Sequence, residues 1–169
     1  HLVHLEKVFK LCLKWGVCLK FKKCQFFVKE FKYLGFVVSR SGVYPDEGKV
    51  KALADRPSPT NVRELRSFLG LGNYFRRFIP HYADLVIPLG ALLKKNARWE
   101  WSEACDEAFR GVKDILLQLP KLYHVEPEAD LVLSTDASNV AIGAVLEMVL
   151  GDELVPISYY SRKFVLKNS

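Results

Sequence analysis

Long apolar runs are missing from this 169-residue chain. A membrane-spanning helix needs about eighteen or more consecutive apolar residues, and no such stretch occurs, which excludes a helical membrane span. The first residues, from His1 through Lys7, mix apolar and charged side chains, so they resemble neither a signal core nor a transit peptide. Methionine is scarce, at one residue, and position 1 is His, which fits a fragment or a processed product. Four cysteines stand at 12, 18, 24 and 105, with no C-x-x-C spacing and no histidine at zinc-ligand distance. That pattern predicts free thiols in a reducing compartment and an intracellular, non-secreted chain, with cytoplasm and nucleus both open. Internal repeats and low-complexity segments are absent too, so solenoids and biased linkers are excluded.

Acids are scarce in one half only. Residues 1–98 carry nineteen Lys and Arg against seven Asp and Glu, whereas residues 99–169 carry six against twelve. The net charge of +6 therefore conceals a basic first half and an acidic second half. Such asymmetry suits a nucleic-acid face on the first half, although a solvated basic surface would give the same count. Half of the residues are apolar, enough to bury a core.

Periodicity predicts a helix over residues 2–15 closed by Gly16. Strand signals follow around Leu19 and Phe21, over Gln25 to Lys29, and over Lys32 to Ser39, with a charged turn near Glu30 between the last two. Asp46 can cap a helix running to about Asp55, and the prolines at 57 and 59 must break it. Asn61 with Glu64 three residues on is a capping pair that opens a long helix ending near Pro80. Pro88 suits the first turn of a further helix reaching Lys95. Ser102 caps the next, which Pro120 ends, and the remainder reads as strands over Leu131–Thr135, Val140–Met148 and Leu154–Tyr160. His1 and His4 sit a turn apart without a third ligand and read as surface residues.

The helix opened by Asn61 carries most of the functional signal. At about 100° per residue, Val62, Leu65, Leu69 and Gly72 share one side, while Arg63, Arg66, Gly70, Asn73 and Arg77 fall in a separate stripe about 80° wide. Guanidinium forks match phosphate oxygens, and a glycine lets a helix backbone come close to a groove. A solvated arginine face explains the arginines but not Gly70, which costs about 1 kcal/mol against alanine; packing of another element on Gly70 would also explain it.

The run Leu65-Arg66-Ser67-Phe68-Leu69-Gly70-Leu71-Gly72-Asn73-Tyr74-Phe75-Arg76-Arg77-Phe78-Ile79-Pro80 resembles the thumb helix of gypsy-type LTR retrotransposon reverse transcriptases. Lys23-Cys24-Gln25-Phe26-Phe27 and Tyr33-Leu34-Gly35-Phe36-Val37-Val38-Ser39 resemble that family's palm hairpin, which positions the primer 3′ end. Trp99-Glu100-Trp101-Ser102 and Cys105 to Phe109 resemble the entry to its RNase H region, and Ser134 to Ser138 and Pro156 to Lys163 resemble the first strands of that domain. The similarity runs through nearly the whole chain in order.

The resemblance implies an α+β fold: the C-terminal part of a palm with its hairpin (1–45), a helical thumb (46–98), a linking helix (99–128) and the N-terminal strands of an incomplete RNase H-like sheet domain (129–169). It implies a part of a Pol polyprotein that grips a template–primer duplex, RNA–DNA or DNA–DNA, during RNA-directed DNA synthesis, with the remainder of the polyprotein as partner and no membrane. Arg63, Arg66, Gly70, Asn73 and Arg77 would hold the duplex, and Tyr33, Leu34, Gly35 and Phe36 would lie at the primer. Among these aromatics, most of the Phe26–Phe36 set reads as core.

The family's polymerase carboxylates belong to a Tyr-x-Asp-Asp turn, and no Asp-Asp pair occurs here. Two-metal chemistry needs clustered acids holding two Mg²⁺ ions, so polymerisation by this chain alone is not expected. Asp136 would be the first RNase H carboxylate and metal ligand, although alone it could equally cap a turn with Ser138 and Asn139. One carboxylate does not hold two metals, so Mg²⁺ is expected in the parent enzyme and not to bind well here. The alternative is a non-catalytic nucleic-acid-binding or scaffolding relic of a degenerate or domesticated element.

Overall fold

The computed structural model describes residues 1–164. Among them, no helix is long and apolar enough to cross a membrane. Helix α1 (Leu2–Lys14) ends as expected: Gly16 takes φ 64°, and the amide of Val17 turns back to the carbonyl of Cys12 at 2.9 Å. None of its residues is buried, and Leu2, Leu13 and Trp15 stand mostly in solvent.

The first strand expectations require correction. Residues around Leu19 and Phe21 form no strand but an irregular segment with a 3₁₀ turn over Phe21–Lys23, and Gln25 to Lys29 is irregular as well, with Phe27 at φ 56°. Alternation of apolar and polar residues makes a strand only where a neighbouring ladder satisfies the backbone, and none lies beside this segment. The run over Lys32–Ser39 is two strands, not one. β1 (Glu30–Tyr33) and β2 (Phe36–Ser39) form an antiparallel hairpin, with Glu30 inside β1 opposite Ser39. Their two-residue turn is Leu34-Gly35, both at positive φ (48° and 79°), the handedness that matches strand twist. β3 (Gly42–Pro45) adds to β2. A fourth strand that the sequence did not announce, β4 (Leu122–Tyr123), closes this sheet against β3 after a long excursion of the chain.

Between β3 and β4 lie the helices. α2 (Glu47–Ala54) is capped by Asp46, whose carboxylate accepts from the amide of Gly48 at 3.1 Å. α3 (Val62–Phe75) is capped by Asn61, which accepts from the amide of Glu64 at 3.0 Å. The reciprocal arm of this box goes one residue further back: Glu64 accepts from the amide and the hydroxyl of Thr60, at 2.8 and 3.0 Å. α3 is shorter than expected, because Arg76–Phe78 tightens into a 3₁₀ turn. The helix expected from Pro88 to Lys95 is α5 (Ile87–Ala91), with Pro88 in its first turn but an earlier end, and a short α4 (Tyr82–Leu85) precedes it. α6 (Glu103–Leu117) starts at Ser102, as the sequence indicates.

The main core joins these helices. Leu65, Phe68 and Phe75 of α3 pack with Val50 and Leu53 of α2, Leu89 of α5 and Phe109, Val112 and Leu116 of α6. Phe68 and Phe109 meet with ring centroids 4.5 Å apart. Burying each such side chain stabilises by roughly 1.5–3 kcal/mol. A second sheet follows: β5 (Leu131–Ala137), β6 (Ala141–Leu150) and β7 (Glu153–Lys163), antiparallel in that order, with Gly151-Asp152 in the last turn as expected. Each strand runs longer than its expected span. Pro156 sits in β7 beside a break in register at Leu146/Glu147, where a missing N–H is tolerated. This sheet has its own small core of Met148, Val155 and Ile157, against which Tyr123 packs.

Candidate nucleic-acid interface

Helix α3 turns two different faces outward from its core. Arg63, Arg66, Gly70 and Asn73 are all exposed on the helix, and Arg77 is exposed in the 3₁₀ turn beyond it. Among the described residues no ion pair involves Arg63, Arg66 or Arg77. Arg77 instead lies over the ring of Phe78, 5.9 Å from its centroid, a contact that orients the guanidinium while leaving its forks open. A methyl group built on Gly70 would meet nothing within 4 Å. Packing of another part of the chain therefore does not account for this glycine, and one alternative left open by the sequence is removed. The outward stripe is a bare backbone flanked by unneutralised cations.

The Leu34-Gly35 turn lies at the edge of the same surface. Phe36, immediately after it, stacks between Tyr74 (4.8 Å) and Phe78 (5.4 Å) and meets Phe75 edge-on (5.5 Å). Its ring is thus committed to docking the hairpin on α3 and is not free to stack on a base. Tyr33 and Leu34 are exposed, at 59% and 69%. Gly35 is half-buried, with Tyr74 and Lys49 in van der Waals range of the place its side chain would take. Sequence reasoning passed over Tyr74. Its hydroxyl donates to the carbonyl of Leu34, tying the turn to α3. An aromatic on the polar side of an amphipathic helix was the available signal.

The hairpin is also held from below. Lys32 donates to Asp46 at 3.1 Å, and the Tyr44 hydroxyl donates to Glu30 at 3.0 Å. The Lys32 hydrogen bond, aided by the Gly48 amide, holds the Asp46 carboxyl below the usual range despite partial desolvation. The carboxylate bond to Tyr44 pushes that phenol up. The two hydrogen bonds tie β1 to Tyr44 of β3 and to Asp46.

Asp136 lies far from α3 in sequence, beside the Pro80-His81 segment. It lies on β5 opposite Gly143 of β6, is exposed, and accepts from the amide of Ala137 at 2.9 Å. Beside it is a cavity of about 180 Å³ lined by Pro80, His81, Ser134, Gly143 and Tyr159, in which Asp136 is the only acid. Burial, and to a smaller extent Glu147, raise the Tyr159 phenol, which stays protonated. Among the described residues no three His, Cys, Asp or Glu side chains gather to hold a metal. These residues do not fit a two-Mg²⁺ centre, which needs clustered carboxylates.

Known proteins resemble this chain in sequence and in fold. Residues 101–168 match the RNase H-like domain found in reverse transcriptase. The Tf2-3 and Tf2-4 transposon polyproteins of Schizosaccharomyces pombe (strain 972) are each 35% identical over 164 residues, covering 96% of this chain. The chain spans 12% of the length of those polyproteins. A foamy viral protease–reverse transcriptase in complex with double-stranded DNA superposes with a TM-score of 0.77 at 26% identity, over 96% of this chain and 29% of that one. The same enzyme with an RNA/DNA hybrid gives 0.77 at 27%, over 98% and 23%. The chain belongs to the reverse transcriptase and RNase H region of retrotransposon polyproteins.

Proposed function

We propose that this chain is a template–primer grip: the exposed face of α3 with Arg77 holds the duplex backbone, and the Leu34-Gly35 turn lies beside the primer strand. The observation that carries the reading is the stripe on α3, where guanidiniums without an ion-pair partner among the described residues surround a glycine with open space above it. An anionic backbone neutralises those forks, and the missing side chain admits it. The foamy viral relatives hold double-stranded DNA and an RNA/DNA hybrid, which supports the same class of ligand here. Within this reading residues 1–45 are the end of a palm, 46–98 a thumb, 99–128 a link and 129–169 the start of an RNase H-like domain. Tyr33, Leu34 and Gly35 face the primer, while Phe36 and Tyr74 position them. Asp136 stands as the first carboxylate of a centre whose remaining acids, and whose Mg²⁺, belong to the parent polyprotein, as does polymerisation.

The test is the salt dependence of hybrid binding, measured by anisotropy with a labelled RNA–DNA duplex. Each phosphate contact contributes roughly 0.7–0.9 to the slope of log K against log salt. Arg66→Ala with Arg77→Ala is expected to weaken binding and to lower the slope by about 1.4–1.8. An unchanged slope would remove the grip from α3.

A further inference from the structure

A groove beside the arginine stripe opens between the Leu34-Gly35 turn, α2 and α3, with a volume of about 490 Å³. Ligand pockets commonly enclose about 300–1,000 Å³ and combine an apolar lining with a few convergent polar groups. This one has that composition. Ala52, Leu53, Leu71 and Phe75 supply apolar walls, Tyr74 presents its ring, and Lys49 and Arg56 stand in the lining. No acid lines it, and among the described residues neither cation forms an ion pair. Arg56 is held in place from two sides: its Nη1 donates to the Ser67 hydroxyl at 3.1 Å, and its carbonyl accepts from Lys113 at 2.8 Å. The Tyr74 bond to the Leu34 carbonyl fixes the far wall.

We propose that this groove binds a small aromatic molecule carrying a single negative charge. The walls match a flat apolar body, and the cations in the lining match one carboxylate. A phosphodiester backbone would find cations here but nothing to suit the apolar walls, and a neutral hydrocarbon would leave both cations unmatched.

The experiment uses the full chain with ¹³C-labelled leucine methyls and no nucleic acid, so its outcome is independent of the duplex reading. Naphthalene-2-carboxylate is the probe, naphthalene-2-methanol its neutral counterpart, and inorganic phosphate the bare anion. The carboxylate is expected to shift the methyls of Leu34, Leu53 and Leu71 at saturable concentrations, leaving Leu2, Leu11 and Leu13 of the exposed α1 unmoved. The alcohol is expected to bind at least fivefold more weakly, and phosphate not to saturate. Leu71→Trp, at a position 36% exposed, fills the groove and should abolish the shifts. Lys49→Gln with Arg56→Gln should erase the preference for acid over alcohol, and this pair decides the matter if the tryptophan variant does not fold. Equal shifts on α1 would mean adsorption to exposed apolar surface. Saturation by phosphate without the naphthoate would make the groove a phosphate contact. Either result overturns the proposal.

Discussion

Two residues on α3 carry opposite lessons about what a side chain is for. Gly70 gives the folded chain nothing: no neighbour needs the space above it, and a glycine in a helix interior costs about 1 kcal/mol relative to alanine. Gly70→Ala is therefore expected to raise the stability of the chain by up to about 1 kcal/mol in urea melts. In the same variant hybrid affinity should fall, because a methyl group stands where the backbone of the duplex would approach. A variant that gains stability and keeps affinity would mean that the glycine serves no ligand. Tyr74 shows the reverse. It is 43% exposed, yet its ring stacks on Phe36 and its hydroxyl holds Leu34. Tyr74→Phe keeps the stacking and loses the hydroxyl, a bond worth about 0.5–1.5 kcal/mol. The expected outcome is faster amide exchange in the Tyr33–Phe36 turn with the helical core unchanged.

Elements whose signals are local were legible before the structure. The caps at Asp46, Asn61 and Ser102 each accept the amide that their chemistry demands, and α2, α3 and α6 begin where those residues stand. What failed were features set by distant partners. Leu34 is not a turn-forming residue type, so the hairpin turn was hidden inside an apparent single strand; its positive φ is tolerated because α3 holds it through Tyr74. β4 is two residues long and exists only because β3 is there to receive it. The stripe on α3 was readable from periodicity, but the stacking of the half-buried Phe36 among three aromatic neighbours was not. The α2 cap also makes a pH prediction. Because the folded Asp46 carboxyl lies below its unfolded value, the stability it contributes is complete above that unfolded value, about 3.9. It is lost as pH falls through the folded one. The Gly48 amide resonance should accordingly titrate with a midpoint under that of a free aspartate. Asp46→Asn, which can still cap, should abolish the titration while keeping the helix. A midpoint at or above the ordinary value would show that Lys32 does not hold the carboxylate.

Across the whole molecule, the basic half and the acidic half are joined by more than the chain. β4 attaches the link after α6 to the hairpin sheet, and the second sheet rests on the segment around α4. There the amide of Ala83 donates to the Ser161 hydroxyl at 3.0 Å, and the Ser138 hydroxyl donates to Asp84 at 3.2 Å. His81, in a left-handed backbone conformation (φ 50°), lays its ring on Gly143, whose missing side chain would stand 2.9 Å from Nδ1. β7 also lies against the Arg76–Phe78 turn and β4, where Tyr123 packs on Met148, Val155 and Ile157, and each side has its own apolar core. The His81 contact and the Ala83–Ser161 hydrogen bond are the polar part of this coupling. Gly143→Val with Ser161→Ala should displace the imidazole and remove one hydrogen bond, leaving both cores intact. In native-state hydrogen exchange, the amides of β6 and β7 are then expected to lose protection by about one to two orders of magnitude, the equivalent of roughly 1.5–3 kcal/mol. Those of α3 and α6 should retain theirs, and α1, with no buried residue, should exchange fastest in either protein. If α3 and α6 lost protection in step with the sheet, the molecule would be a single cooperative unit. The position of Asp136 would then be set by the whole helical core and not by the His81 contact.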